Sequence, residues 1–194
     1  MNLVSGFKVE DAKKMYMKYW GGAIATDEVY SSVRNATTQR GYVYHSQIGG
    51  EAKEKMWRDY RSFVEKKIGD YVVGTISESE HLNNLSELVE FMTSVHSDSL
   101  KEGHFRFGSA QKLFNLTLKL LWVKGEIVEP LHAPIDSYVA KNVGENYAWT
   151  KNDSLDAYVA VIERCKRVAK AYGLSLAQWE LLYWNMVVLS ATIK

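Results

Sequence analysis

The sequence predicts an all-α protein, and two observations carry that expectation. Only two prolines, Pro130 and Pro134, occur in 194 residues, so most of the chain is free of the residue that breaks helices. Leu, Met and aromatic residues recur at helical spacing through much of the rest, the pattern of helices that bury one face. The first helix is expected from about Val9 to Trp20, where Met15, Tyr16, Tyr19 and Trp20 form a stripe and Gly21-Gly22 ends it. A short second helix is expected over Asp27 to Asn35. The segment from Thr37 to Gly50, with Tyr42 and Tyr44 around Val43, reads as either a short strand or an aromatic loop.

Glu51 to Ile68 reads as a long charged helix with Met56, Trp57, Tyr60, Phe63, Val64 and Ile68 on one face and Gly69 closing it. Leu82 to Val95 repeats the pattern with Leu85, Leu88, Val89 and Met92. A further helix over Ser109 to Val123 turns Leu113, Leu116, Leu120 and Leu121 to the core. A short one is expected over Asp136 to Asn142, and the polar segment Gly144 to Asp153 reads as a loop. Two last helices, about Ser154 to Ala171 and Ser175 to Thr192, start at polar caps and are separated by Gly173. The expected architecture is one helical domain over residues 1–194 with seven or eight helices, compact or two-lobed around a cleft.

Composition bounds the function. Hydrophobic residues make up 46% and charged residues 24%, an ordinary globular balance. A net charge of +1 excludes a global electrostatic signature of nucleic-acid or membrane binding, so any basic surface is local. A single cysteine, Cys165, excludes an internal disulfide and any four-cysteine zinc or iron–sulfur site. Flanked by Arg164 and Lys166 in a helix, it reads as structural. His45, His81, His96, His104 and His132 contain no H-x-x-x-H pair, so no metal site and no cofactor are expected. Apolar stretches are too short to span a bilayer, and the N-terminal residues contain no signal-peptide core. A cytoplasmic, monomeric protein without a membrane partner is the expectation.

The stretch Phe105 to Val143 carries the chemistry. Gly108 and Ser109 open a helix whose first N–H groups can hold a phosphate, with Ala110 beside them and Arg106 and Lys112 adding charge. Pro130 and Pro134 stiffen the approach to Asp136, at the mouth of the next helix. An aspartate there caps its own helix and can also present its carboxylate to a cleft.

Two pieces, Gly108-Ser109-Ala110-Gln111-Lys112 and Pro134-Ile135-Asp136-Ser137-Tyr138-Val139, resemble the helix–hairpin–helix superfamily of DNA base-excision glycosylases. Relative to that family, Ala110 stands where a second hairpin glycine is usual, and Phe105-Arg106-Phe107 precedes the hairpin. The resemblance implies an all-helical, two-lobed fold with a base pocket between the lobes and hairpin amides gripping a DNA phosphate. It also implies Asp136 as the catalytic carboxylate and Lys112 as the Schiff-base lysine of bifunctional members; Lys119 and Lys124 are alternatives for a cationic role.

The residue types suit that reaction. A carboxylate stabilises the positive charge that develops on the sugar, and an amine can attack C1′. The target base must be flipped into a pocket. Tyr42, Tyr44, His45, Tyr147 and Trp149 lie on loop-like stretches as aromatic candidates, His132 is a candidate to enter the cleft, and Gln39 and Asn35 can read a base edge. Duplex DNA would be held by a local patch of Arg34, Arg40, Arg106, Lys112 and Lys141. The expected function is removal of a damaged or modified base, including a hypermodified base of phage DNA in antiviral defence. The alternatives are a non-catalytic helical module that binds protein or nucleic acid, and a helical nucleotide- or small-molecule-binding protein.

Overall fold

A computed structural model describes residues 8–20, 26–38 and 43–189. Its elements are α1 (Val9–Tyr19), α2 (Thr26–Thr38), α3 (Gly50–Val73), α4 (Glu78–His96), α5 (Phe107–Lys124), α6 (Ser137–Asn142), α7 (Leu155–Ala171) and α8 (Leu176–Trp184). Short 3-10 turns cover Ser97–Ser99, Lys101–Gly103 and Trp149–Lys151, and a π-turn over Asn185–Leu189 follows α8. Among the described residues there is no strand, so the protein is all-α as its periodicity predicts. Residues Gly21-Gly22, Gln39, Arg40, Tyr42 and the end of the last expected helix lie outside the described residues.

The fold is organised around α5. Sixteen of its eighteen residues are buried, and the polar ones among them, such as Gln111, Asn115 and Thr117, are enclosed with hydrogen-bond partners. It packs against α1, α2, α4 and the Trp149–Lys151 turn. The helix is thus more deeply enclosed than four leucines on one face suggest.

Several element boundaries differ from the sequence expectation, among them the last expected helix, which is α-helical only to Trp184, after which the π-turn begins. Gly69 does not end α3; the helix runs on to Val73 and stops at Gly74, whose φ of 75° suits glycine at that position. The extra turn buries Tyr71, 1% exposed. The start of α4 lies earlier, at a capping box in which Ser77 and Glu80 satisfy each other's backbone donors. Between Val43 and Gly50 only an isolated antiparallel bridge forms, Tyr44 with Leu100; Thr37 and Thr38 complete α2 instead.

A polar cluster lies inside the core. Tyr71 Oη is hydrogen-bonded to His81 Nδ1 at 2.9 Å and accepts from Asn84. Tyr158 Oη donates to His132 Nδ1 at 2.9 Å and accepts from Asn115. The two imidazoles meet edge to face, with centroids 4.5 Å apart. Among the described residues, no helix is long and apolar enough to cross a membrane.

Candidate active site

Side chains of α5 fix the strap that carries Asp136. Gln111 Nε2 donates to the Ile135 carbonyl at 2.7 Å, and its Oε1 accepts the Ile135 N–H at 3.1 Å. One turn on, Asn115 Nδ2 donates to the Ala133 carbonyl at 3.3 Å. Buried backbone groups need such partners, so two amide side chains at i and i+4 pin residues 133–135 against the helix. Asp136 follows directly as the N-cap of α6, its Oδ1 accepting the N–H groups of Tyr138 and Val139 at 2.9 and 3.0 Å.

The other oxygen, Oδ2, accepts from Lys112 Nζ at 3.1 Å. The two sequence-predicted catalytic residues therefore meet. Burial raises the Asp136 carboxyl, but the Lys112 charge and the hydrogen bonds from Lys112, Val139 and Tyr138 outweigh it and hold the pKa below the usual value. Asp136 is thus a carboxylate at neutral pH.

The pair opens on a cavity of about 350 Å³. Its aromatic walls are Tyr16 and Tyr19 from α1, Trp20 at the cap of that helix, Tyr138 from α6, Trp149, and Trp184 at the end of α8. Tyr16 and Tyr19 meet the Trp184 ring edge-on, with centroids 5.1 and 5.0 Å apart, a favoured aromatic geometry. Lys112 Nζ lies 4.8 Å from the centre of the Trp149 ring, a cation–π contact. Asn185 Nδ2, first residue of the π-turn, donates to the Ala12 carbonyl at 2.8 Å and so ties the two aromatic-bearing helices together. A second ion pair, Lys119 with Glu180, also lines the cavity.

The phosphate-gripping role expected of Gly108, Ser109 and Ala110 is corrected by the structure. No helix–hairpin–helix element is shown at this position; the three residues form the buried first turn of α5. The Gly108 N–H donates to the Asn152 carbonyl at 2.8 Å, and those of Ser109 and Ala110 point to the Arg106 carbonyl. Asp153 accepts the Phe107 N–H at 3.3 Å, so this helix end already holds an anion from its own chain. Arg106 is likewise occupied, bound to Asp153 and Glu102.

This docking seats Trp149. A Cβ on Gly108 would collide with the Trp149 backbone carbonyl, so only glycine permits the approach. Gly108→Ala is expected to destabilise the protein by about 3 kcal/mol, read as a shift in urea midpoint. A loss below about 0.5 kcal/mol would show that the loop is not seated this way.

The other candidates scatter. Trp149 is in the cavity wall, but Tyr44, His45, Tyr147 and His132 are not among its lining. Tyr44 packs on Trp57, His45 is exposed, and Tyr147 Oη accepts from Asn152 at 3.1 Å. His132 is fully buried in the polar cluster, bonded to Tyr158 and Glu78, because the two prolines route its strap through the core before the cleft. Asn35 is exposed on α2 and does not line the cavity. Of the expected basic patch, Arg34 pairs with Glu54, Arg106 with Asp153 and Lys112 with Asp136, Lys141 is exposed on α6, and Arg40 lies outside the described residues.

Sequence reasoning missed the α1 aromatics, Tyr138, Trp184 and Glu180. One signal was available: Lys119 and Glu180 each stand as a lone charge in an apolar run, NLTLKLLWV and LAQWELLYW. Such charges are retained only with a partner. Among the described residues no three His, Cys, Asp or Glu side chains gather as a metal site. Comparison with protein-family models, curated proteins and solved structures gave no match to this chain.

Proposed function

We propose that this protein is a DNA glycosylase that accepts a flipped base in the aromatic cavity and cleaves its N-glycosidic bond beside Asp136 and Lys112. The observation that carries the reading is the 3.1 Å contact between these two side chains at an aromatic-walled cavity. Aromatic faces suit a heterocycle taken out of the stack.

In this mechanism the sugar enters with C1′ against the ion pair. As the bond to the base lengthens, positive charge grows on C1′ and the ring oxygen. The Asp136 carboxylate, held ionised by Lys112 and two backbone amides, stabilises that charge. Its aim is fixed in advance by Gln111 and Asn115, so little reorganisation accompanies the reaction. For covalent catalysis Lys112 must first lose a proton, and Asp136 Oδ2 is the acceptor within reach. The free amine then attacks C1′, the new C–N bond forming as the bond to the base breaks. The base leaves with the electron pair and takes up the proton that Lys112 passed to Asp136, so the carboxylate is ionised again as charge develops on the sugar. Opening of the sugar ring converts the adduct to an imine.

Borohydride reduces such an imine to a stable amine. The expected result is a trapped protein–DNA adduct with wild type and none with Lys112→Gln, read by denaturing electrophoresis. Base release without any adduct would replace the lysine by water as nucleophile and leave Asp136 in its role.

A further inference from the structure

The cavity holds a second pair of charges that the proposed cleavage does not use. Lys119 Nζ and Glu180 Oε2 lie 2.6 Å apart, with side chains 3% and 2% exposed. Both line the same cavity as Lys112 and Asp136. Taking two charges out of water is unfavourable, and an apolar pair of similar volume is often equally or more stabilising. Stability alone therefore does not explain a buried ion pair that borders open space.

The helix supplies the geometry. Lys112, Leu116 and Lys119 stand at i, i+4 and i+7 on α5 and all line the cavity, which puts the two lysine Cα atoms about 10 Å apart along one helix face. The cleaving pair and the second pair are thus two turns apart along a shared wall. Tyr16 and Trp184 flank the inner pair, their ring centres 4.2 and 5.4 Å from Lys119 Nζ. A planar ring whose glycosidic bond meets Asp136 would reach inward with its far edge toward Lys119 and Glu180.

We infer that Lys119 and Glu180 read the flipped base and select rings with a lactam edge, a ring N–H next to a carbonyl oxygen. This rests on the glycosylase reading above. The Glu180 carboxylate accepts the ring N–H and the Lys119 ammonium donates to the adjacent carbonyl, both charge-assisted bonds. Guanine-, hypoxanthine-, uracil- and thymine-type rings carry that edge. Adenine- and cytosine-type rings held in the same orientation reverse it, setting a bare nitrogen lone pair against the carboxylate and an amino group against the ammonium. Sites built to hydrogen-bond reject partners that leave buried groups unpaired. Burial pushes Lys119 down and Glu180 up, each opposed by the other's charge; a ligand bonded to both stabilises the charged pair.

The test uses 9-methylguanine, 1-methyluracil, 9-methyladenine and 1-methylcytosine as probes. Binding to the full chain is read by quenching of tryptophan fluorescence and by saturation-transfer NMR. The two lactams are expected to bind at least about tenfold tighter than the two amino bases. In the double variant Lys119→Met/Glu180→Gln the preference should disappear. Both charges are removed together because either single neutralisation strands a buried ion and endangers the fold; the wild-type preference stands as a test without any variant. Equal or reversed preference, no binding of any probe, or a preference intact in the double variant overturns the inference. Base release from DNA is measured separately. Release of amino-type bases alone would overturn the reader and leave the glycosylase, whereas lactam preference without release from any DNA would overturn the glycosylase and leave a lactam-binding cavity.

Discussion

Replacing Asp136 by asparagine is expected to slow base release by about 10²–10³-fold while the fold survives. Asparagine caps helices about as well as aspartate, and its Oδ1 can still accept the N–H groups of Tyr138 and Val139. What changes is the second atom: an amide NH2 replaces Oδ2 and faces the Lys112 ammonium, donor against donor. The developing charge on the sugar then has no counter-charge. Because the native carboxyl is held below its usual value, any loss of wild-type activity in mild acid should follow loss of the fold and not protonation of Asp136. Single-turnover release kinetics, with a urea midpoint as the control for folding, check both points. A variant that releases base within a few-fold of wild type would leave Asp136 as a helix cap and nothing more.

Mild acid is expected to destabilise the protein strongly through His81 and His132. Burial, with smaller effects from neighbouring charges, lowers both imidazoles to about 3, against about 6.5 in an unfolded chain. The Lys166 ammonium opposes protonation of both; Glu78 bonds to His132 and Lys166 and favours protonation of His81. Between pH 3 and 6.5 the unfolded chain therefore binds more protons than the folded one, and stability rises with pH across that window. The contribution is fully present above about pH 7 and is lost as pH falls toward 3. From pH 7 to pH 5 the expected loss is about 2 kcal/mol per histidine. Urea midpoints at the two pH values measure it, and histidine C2 proton shifts should show no titration of these two rings down to pH 5. Titration of either ring near 6.5 would contradict their burial as a neutral pair.

Much of the fold could be read because single residues punctuate it. Ser154 and Ser175 cap α7 and α8 through their side chains, and Asp136 caps α6. Gly69 against Gly74 shows where such reading ends: both can close a helix, and the choice turns on Tyr71 finding a buried place against α4, a long-range fact. The proposed catalytic pair was legible because Lys112 and Asp136 fall in the two short pieces that carry the resemblance, one in the first turns of α5 and one at the N-cap of α6. The cavity around it was not. Tyr16, Tyr19 and Trp20 form the same stripe whether it faces core or cavity, and only the packing of α1 on α5 and α8 decides. The first turn of α5 was misread for a related reason. Its amides look free in sequence, but Asn152 and Asp153 return from a distant loop to occupy that helix end.

The most direct test is mass-spectrometric detection of free base released from a panel of DNAs by wild type and by Asp136→Asn. The panel should hold oxidised, alkylated and deaminated bases together with genomic DNA of phages that carry modified bases. The account predicts release of at least one base by wild type, with release by the variant reduced about 10²-fold or more. No release from any DNA, or equal release by both proteins, would contradict it.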